Sequence, residues 1–498
     1  MASAIRPKPR AIRLAEVLPS AVIGLEDGAT VVTGITLDSR TVVPGDLYAA
    51  LPGHQTHGAR FAHSALAAGA VAIVTDAAGA PECDGLGLPV VVIERPRERL
   101  GEIAARVYGN PAADLQLLAV TGTNGKTTVA AMVESGLRAA GRVTGIIGTM
   151  GVQVAGVAYP GARTTPEAPD LHAILGVMRD AGVDSVVMEV SSIAIDECRV
   201  DGVRYDVAAF TNLSQDHLDY HHTMEAYFAS KARLFTPEHA DVAIIGIDDA
   251  WGQSLADMVQ IPRQTWSLLS SQADWHVVRD AGETSIVTPD GNRQPIVVPM
   301  AGSFNVANAL CAYAVLRTAG VSDADAAAGI AASGVPGRMQ VVGDSAGVRG
   351  IVDYAHSPDA IERVLRTARD EAVGRVIVVL GAGGDRDRAK RPLMGSLAAR
   401  LSDVLVITDD NPRSEVPADI RAAVAEGAML VAPADRAEVH EVGDRGAAIT
   451  VAVGLAEVGD IVLVLGKGHE QGQEAAGVVS PFDDASTLRI ALEDRHER

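Results

Sequence analysis

"LQLLAVTGTNGKTTVAAMVESGLRAAG", residues 115–141, contains the transition that decides the fold. It opens on a short apolar run with the composition of a buried strand and closes on an Ala-rich stretch with helical character. The turn between them, "TGTNGKTT" at 121–128, is rich in glycine and carries a Lys-Thr pair. At the head of a helix such a turn directs successive backbone N–H groups at one point, where the helix dipole also favours negative charge. Phosphate suits that point, with Lys126 reaching the outer phosphates and Thr127 able to hold Mg²⁺. Val120 stands where the full phosphate-loop pattern has its first glycine, so a plain glycine turn between strand and helix is the competing reading.

The same alternation continues on either side. Residues 1–110 mix short apolar runs such as "AVAIVTD" and "PVVVIE" with Gly and Pro turns, which reads as one small α/β domain. Residues 111–338 repeat strand, turn and helix, with "SVVMEVS", "VAAFTN" and "DVAIIGI" as further buried strands. From 339 to 498 a third series runs through "GIVDYA", "RVIVVLGAGG", "DVLVITDD" and "IVLVLGKG". The expectation is an α/β protein of three domains, with parallel sheets and helices on both faces. Ligands then lie beyond the carboxyl ends of the strands, where each polar cluster falls.

At 498 residues, about three domains are expected from length alone. A formal charge of −21 argues against a nucleic-acid partner, which needs clustered Lys and Arg. Three cysteines without CxxC spacing argue against a zinc knuckle or disulfide framework and fit a reducing cytoplasm. No apolar run reaches the roughly 18 residues of a membrane span. The opening "MASAIRPKPR" mimics the start of a signal peptide, but Glu16 and Pro19 interrupt the chain before an apolar core can form. Lysine usage is more telling: Lys8, Lys126, Lys231, Lys390 and Lys467 stand against 37 arginines. Four of the five sit in polar motifs, which suggests positions where an ammonium is chemically required.

Several further residues are weak singly. Glu189 and His217 could complete a hard-metal site with Thr127, although a strand-end Glu is commonly a capping group and a lone His commonly structural. Lys231 reads first as a surface lysine; a CO₂-modified form could ligate metal, but requires a neutral amine. Asn305 and Asn308 share a helix face and suit adenine edges or, equally, a helix cap. Arg338, Asp353 and His356 are types that suit ribose or phosphate. "TDDNPRSE" at 408–415 reads on its own as a solvated turn.

Taken together and in order, "TGTNGKTT", "MEVSS", "TNLSQDHLDYH", "YFASKARLF", "GSFNVANA", "VPGRMQ", "VDYAHSPDAI", "GAGGDRDRAKRPLM", "DDNPRSE" and "LGKGHE" resemble the Mur ligase family, most closely its diaminopimelate-adding members. The resemblance extends over nearly the whole chain. It implies a small N-terminal α/β domain (1–110) holding the UDP end, a central P-loop-type ATPase (111–338), and a C-terminal Rossmann-like domain (339–498) supplying the amino acid site. The implied reaction joins meso-2,6-diaminopimelate to UDP-N-acetylmuramoyl-L-alanyl-D-glutamate through an acyl phosphate, using ATP and Mg²⁺, in a cytoplasmic monomer of peptidoglycan precursor synthesis.

Carried over by position, the resemblance assigns Leu37, Ser39, His54, Gln55 and Thr56 to the uridine nucleotide, and Thr164, Thr165, Ser191 and Arg199 to the muramoyl-dipeptide. Gly122, Thr123, Asn124, Gly125, Lys126, Thr127 and Thr128 become the ATP loop, Glu189 and His217 metal ligands with Thr127, and Lys231 a carbamylated lysine on the same metal. Asn305, Asn308, Arg338, Asp353 and His356 close over the nucleotide. Arg391, Asp410, Asn411, Pro412, Arg413, Gly466 and Glu470 form the amino acid pocket. In it Arg413 grips the distal carboxylate that diaminopimelate has and lysine lacks. Ile193, Arg163 and Glu197 depart from the family's usual His, Asn and Gln, which leaves L-lysine or ornithine as alternative amino acids. A P-loop switch without ligase chemistry, or a nucleotide-binding scaffold, is the rival outside the family. Within it, the D-Ala-D-Ala-adding ligase and folylpolyglutamate synthetase share the ATP core but are not expected to share the "DNPR" loop.

Overall fold

The computed structural model describes residues 5–18, 29–53, 56–161, 163–280 and 283–496. The strand Gln116–Thr121 lies inside an eleven-stranded sheet, hydrogen-bonded on one side to Ser185–Glu189 and on the other to Tyr205–Phe210, both parallel to it. Every residue of Ser185–Glu189 is buried, as a strand covered on both faces requires. The helix Lys126–Ala139 starts directly after Gly125, whose φ of 91° only glycine adopts without strain. Farther along, this helix meets the helix Asp323–Ala332 so closely that a Cβ on Gly329 would fall 2.3 Å from the Gly136 Cα. That contact explains the glycine inside "VESGL".

The expectation of a parallel central sheet holds only for its middle. From Thr144–Gly148 through Ser185–Glu189, Gln116–Thr121, Tyr205–Phe210, Ala240–Gly246, Arg263–Ser267 and Trp275–Asp280 the neighbours run parallel, but both edges are antiparallel. On one side Gly151–Val154 and Val157–Tyr159 form a hairpin around Ala155 (φ 48°) and Gly156 (φ 83°), the positive pair that a tight two-residue turn demands. On the other, Glu283–Val287 and Arg293–Pro295 fold back as a meander. Short connections of this kind cannot make a parallel crossover.

The N-terminal unit carries a four-stranded parallel sheet, Gly34–Thr36, Asp46–Ala49, Ala72–Thr75 and Val90–Val92. The C-terminal unit has a six-stranded sheet in the order Gln340–Ser345, Val348–Asp353, Ile461–Leu465, Val376–Leu380, Val404–Ile407, Glu438–Glu441, parallel except for the first strand. Thus the chain folds as three α/β domains. The strand Ile461–Leu465, last of this sheet in sequence, lies between two earlier ones, and the carboxyl ends of the four inner strands lead into Asp353, Gly381, Thr408 and Gly466. Such a reversal of strand order opens a crevice for ligands.

Candidate functional site

The carboxyl ends of the central and C-terminal sheets meet across a cavity of about 1040 Å³, lined by Asn124, Gly125 and Thr128 on one side and Asp353, Tyr354 and His356 on the other. Two hydrogen bonds join the two domains beside it: Asn124 Nδ2 and Ser214 Oγ both donate to Asp359 Oδ2, at 2.9 and 3.1 Å. Asn305 and Asn308 also line this cavity. Asn305 Nδ2 donates to the Ala301 carbonyl (2.7 Å) and Asn308 Nδ2 to Asn305 Oδ1 (3.2 Å), so the helix-cap and adenine readings combine in one amide ladder. A Cβ on Gly125 would lie 2.3 Å from Asn308 Oδ1, which fixes the loop against that ladder. Arg338 lies over the Tyr354 ring, 4.5 Å from its centre, and donates to Thr127 Oγ1 at 3.3 Å. Asp353 is buried and accepts from the N–H groups of Met339 (2.7 Å) and Ala355 (2.8 Å).

In the loop itself Lys126 Nζ donates to the Gly122 and Thr123 carbonyls, at 2.9 and 3.0 Å. Lys231, only 1% exposed, donates to the same Gly122 carbonyl at 2.9 Å and lies 4.7 Å from the Tyr227 ring centre. Burial pushes the Lys231 ammonium well below its ordinary value, and the neighbouring Lys126 charge pushes in the same direction. A surface lysine is therefore not what this position holds. A neutral amine is the form that reacts with CO₂, and the anionic product would convert repulsion from Lys126 into attraction.

Glu189, buried at the strand end, accepts from Thr127 Oγ1 (2.9 Å), from the Thr149 N–H (2.9 Å) and from Thr149 Oγ1 (3.1 Å). His217 is exposed and 3.5 Å from Asp216. Among the described residues no three His, Cys, Asp or Glu converge as a preformed cation cage. A hydroxyl and a carboxylate beside a phosphate cradle nevertheless fit Mg²⁺, which usually takes one or two carboxylates together with substrate phosphates.

The dipeptide candidates adjoin this cluster. Thr164 Oγ1 lies 3.1 Å from Thr149 Oγ1, and Thr165, 1% exposed, donates to the Glu189 carbonyl (3.0 Å) while accepting from the Ser191 N–H (3.1 Å). Two of the three unusual residues belong to one charge network. Glu167 pairs with Arg163 (2.7 Å), Arg199 (3.0 Å) and Arg97 (3.3 Å), and Arg199 also pairs with Glu197. The added positive and negative charges therefore meet across Arg199. Ile193 is half-buried in the helix Ser192–Asp196, which Ser191 caps. Leu37 and Ser39 follow the carboxyl end of Gly34–Thr36, and the Thr56 carbonyl accepts from the Gly53 N–H (3.1 Å). His54 and Gln55 lie outside the described residues.

The "TDDNPRSE" loop is no solvated turn. Asp410 and Asn411 are buried, and Arg413 takes a positive φ of 51° immediately after Pro412. Arg413 Nη1 donates to the Gly384 carbonyl at 2.6 Å. Asn411 Nδ2 donates to Glu470 Oε2 at 2.8 Å, while the Glu474 N–H donates to Asn411 Oδ1 at 2.9 Å. Arg391, 3% exposed, binds Glu415 through Nη1 (3.1 Å) and Nη2 (2.8 Å) and holds that carboxyl down at about 2. Gly466 (φ 115°) leaves room for Asp410, whose Oδ2 would lie 2.3 Å from any Cβ there.

Several contributors escaped sequence reasoning: Thr149, which bonds Glu189; Asp359 and Ser214, which bond each other between the domains; and Lys467, which bonds Asn411. The scarcity of lysine pointed to Lys467 without giving it a role.

Residues 31–108 match the Mur ligase family catalytic domain, 120–316 the Mur ligase middle domain, and 337–468 the Mur ligase glutamate ligase domain. The UDP-N-acetylmuramoyl-L-alanyl-D-glutamate–2,6-diaminopimelate ligase of Streptomyces coelicolor is 47% identical over 496 residues, covering 97% of this chain and 98% of that protein. The protein of the same name from Streptomyces avermitilis is 49% identical, covering 93% and 92%. A solved structure of that name superposes with a TM-score of 0.68 at 34% identity, over 98% of this chain and all of the other. With such identity running through all three domains, and with a phosphate loop facing a built C-terminal pocket, the chain belongs to the Mur ligase family.

Proposed function

We propose that this protein joins meso-2,6-diaminopimelate to UDP-N-acetylmuramoyl-L-alanyl-D-glutamate with hydrolysis of ATP to ADP and phosphate, as a cytoplasmic step of peptidoglycan precursor synthesis. One observation carries the choice of amino acid. The Arg413 guanidinium is anchored by the Gly384 carbonyl, 3.6 Å from Glu474, and Asn411 of the same loop donates to Glu470, so one loop brings together a held cation and a held anion. An amino acid with both a carboxylate and an ammonium at its far end matches that arrangement, whereas lysine would set its ammonium against Arg413.

Domain duties follow the sequence reading: 1–110 for the UDP end, 111–338 for ATP, 339–498 for the amino acid. A D-glutamyl carboxylate oxygen attacks the γ-phosphorus of ATP and ADP departs, giving an acyl phosphate. The amine of the incoming amino acid then attacks the acyl carbon, loses its proton and expels phosphate. Lys126, held at the mouth of the loop, offsets charge on the transferring phosphoryl group. Thr127 and Glu189, with His217 and a carbamylated Lys231, would hold Mg²⁺, which would supply positive charge to offset that of the phosphates. Thr165 and Ser191 orient the dipeptide next to Glu189.

Phosphate release measured with ATP, the UDP-dipeptide and a panel of amino acids tests this reading. Turnover with meso-diaminopimelate is expected; turnover with L-lysine or ornithine but not with meso-diaminopimelate overturns it.

A further inference from the structure

Of the four motif lysines, the reaction uses two, Lys126 and Lys231. Lys390 and Lys467 are left over, and of these Lys467 is completely buried, at 0% exposure. Its Nζ donates to Asn411 Oδ1 at 2.9 Å and to Glu470 Oε2 at 3.2 Å, with Asp410 Oδ1 at 3.9 Å. Bulk solvent does not reach these bonds, and a buried ammonium persists only where acceptors surround it.

The consequence for Asn411 is specific. An amide can present either its oxygen or its nitrogen in a given direction. Lys467 Nζ and the Glu474 N–H both donate to the oxygen, which forces the nitrogen toward Glu470 Oε2. Glu470 is thereby gripped on one oxygen by two donors, leaving Oε1 without a hydrogen bond among the described residues. The neighbouring buried cation, Arg445, is already neutralised by Asp484 through two bonds of 2.7 Å and cannot substitute for Lys467.

We propose that Lys467 is a positioning residue for amino acid selection: it sets the Asn411 amide and the Glu470 carboxylate so that one carboxylate oxygen faces the incoming ammonium. The proposal rests on the reading of this pocket as the amino acid site. Without the lysine the pocket would keep two carboxylates, Asp410 and Glu470, and lose its fixed geometry.

The test compares wild type with Lys467→Met and, as a variant that keeps a donor but no charge, Lys467→Gln. In Lys467→Met the KM for meso-diaminopimelate is expected to rise about tenfold or more, with the KM values for ATP and the UDP-dipeptide unchanged, as loss of a buried charge-assisted hydrogen bond implies. Lys467→Gln is expected to fall between. Because Lys467 acts partly through Asn411 and partly on Glu470 directly, adding Lys467→Met to Asn411→Ala should change the KM by clearly less than Lys467→Met does alone. An unchanged KM for meso-diaminopimelate in folded Lys467→Met or Lys467→Gln overturns the proposal, as does full additivity with Asn411→Ala. If wild type itself ignores meso-diaminopimelate, it is the function of the pocket that fails instead.

Discussion

The phosphate loop and the amino acid pocket treat charge in opposite ways. Around Gly122 two lysine amines share a single carbonyl oxygen, and among the described residues neither has a carboxylate within ion-pair distance. In the pocket each buried charge has a partner: Lys467 with Glu470, Arg391 with Glu415, Arg445 with Asp484. The first region is left electrostatically incomplete, so that the arriving phosphates finish it. The second is complete beforehand, which on the proposed function suits it to measure the shape and charge of a small zwitterion.

The contrast breaks most visibly at Lys231. Lys231→Ala is expected to lower turnover about 10³-fold or more, in line with removal of a group that stabilises transferring charge, and added bicarbonate should not restore it. Wild-type turnover should fall when CO₂ is stripped from the buffer and recover with bicarbonate; activity in Lys231→Ala equal to wild type would show that the carbamate is not needed.

A third region sharpens the rule. His172 is fully buried, offered only the Asp201 carbonyl at 3.4 Å, and burial depresses its imidazole to about 4. Since the unfolded residue titrates near 6.5, the unfolded chain binds more protons between those values and stability falls as pH drops from 6.5 to 4. The loss amounts to about 3 kcal/mol at most, and denaturant titrations of His172→Gln across that window should show a flatter profile. An uncompensated group where no substrate arrives thus stays neutral rather than charged.

In the pocket, Arg413→Ala should reduce kcat/KM for meso-diaminopimelate about 100-fold, as expected when a buried polar contact to substrate is lost. The value for L-lysine should change less, so the ratio of the two reads out discrimination; an unchanged ratio would remove Arg413 from selection. The smallest effect is expected at Arg163, which is exposed. Arg163→Asn should shift stability by less than about 0.5 kcal/mol, measured by chemical denaturation, because Glu167 retains Arg199 and Arg97.

What was legible in the sequence was local. The strand, turn and helix at 115–141 read directly, because the φ requirement of Gly125 and the apolar run before it are adjacent in the chain. Polar clusters at strand ends pointed to the cleft for the same reason. The antiparallel edges were missed because short apolar strands carry no mark of direction. Lys467 could be singled out by its rarity, yet its partner Asn411 is 56 residues away, and Asp359 lies 235 residues from Asn124. Convergence over such separations is a property of the folded sheets, not of any window of sequence. Lys8, the remaining lysine, is exposed, which is the ordinary fate the other four avoid.

The bond from Asn124 to Asp359 has a pharmacological consequence. A small molecule wedged between these two side chains would hold the central and C-terminal domains apart without resembling a nucleotide. Escape from such a compound by mutation would have to pass through Asn124, a residue of the phosphate loop, or through the helix that faces it, and either route would disturb the catalyst it is meant to protect.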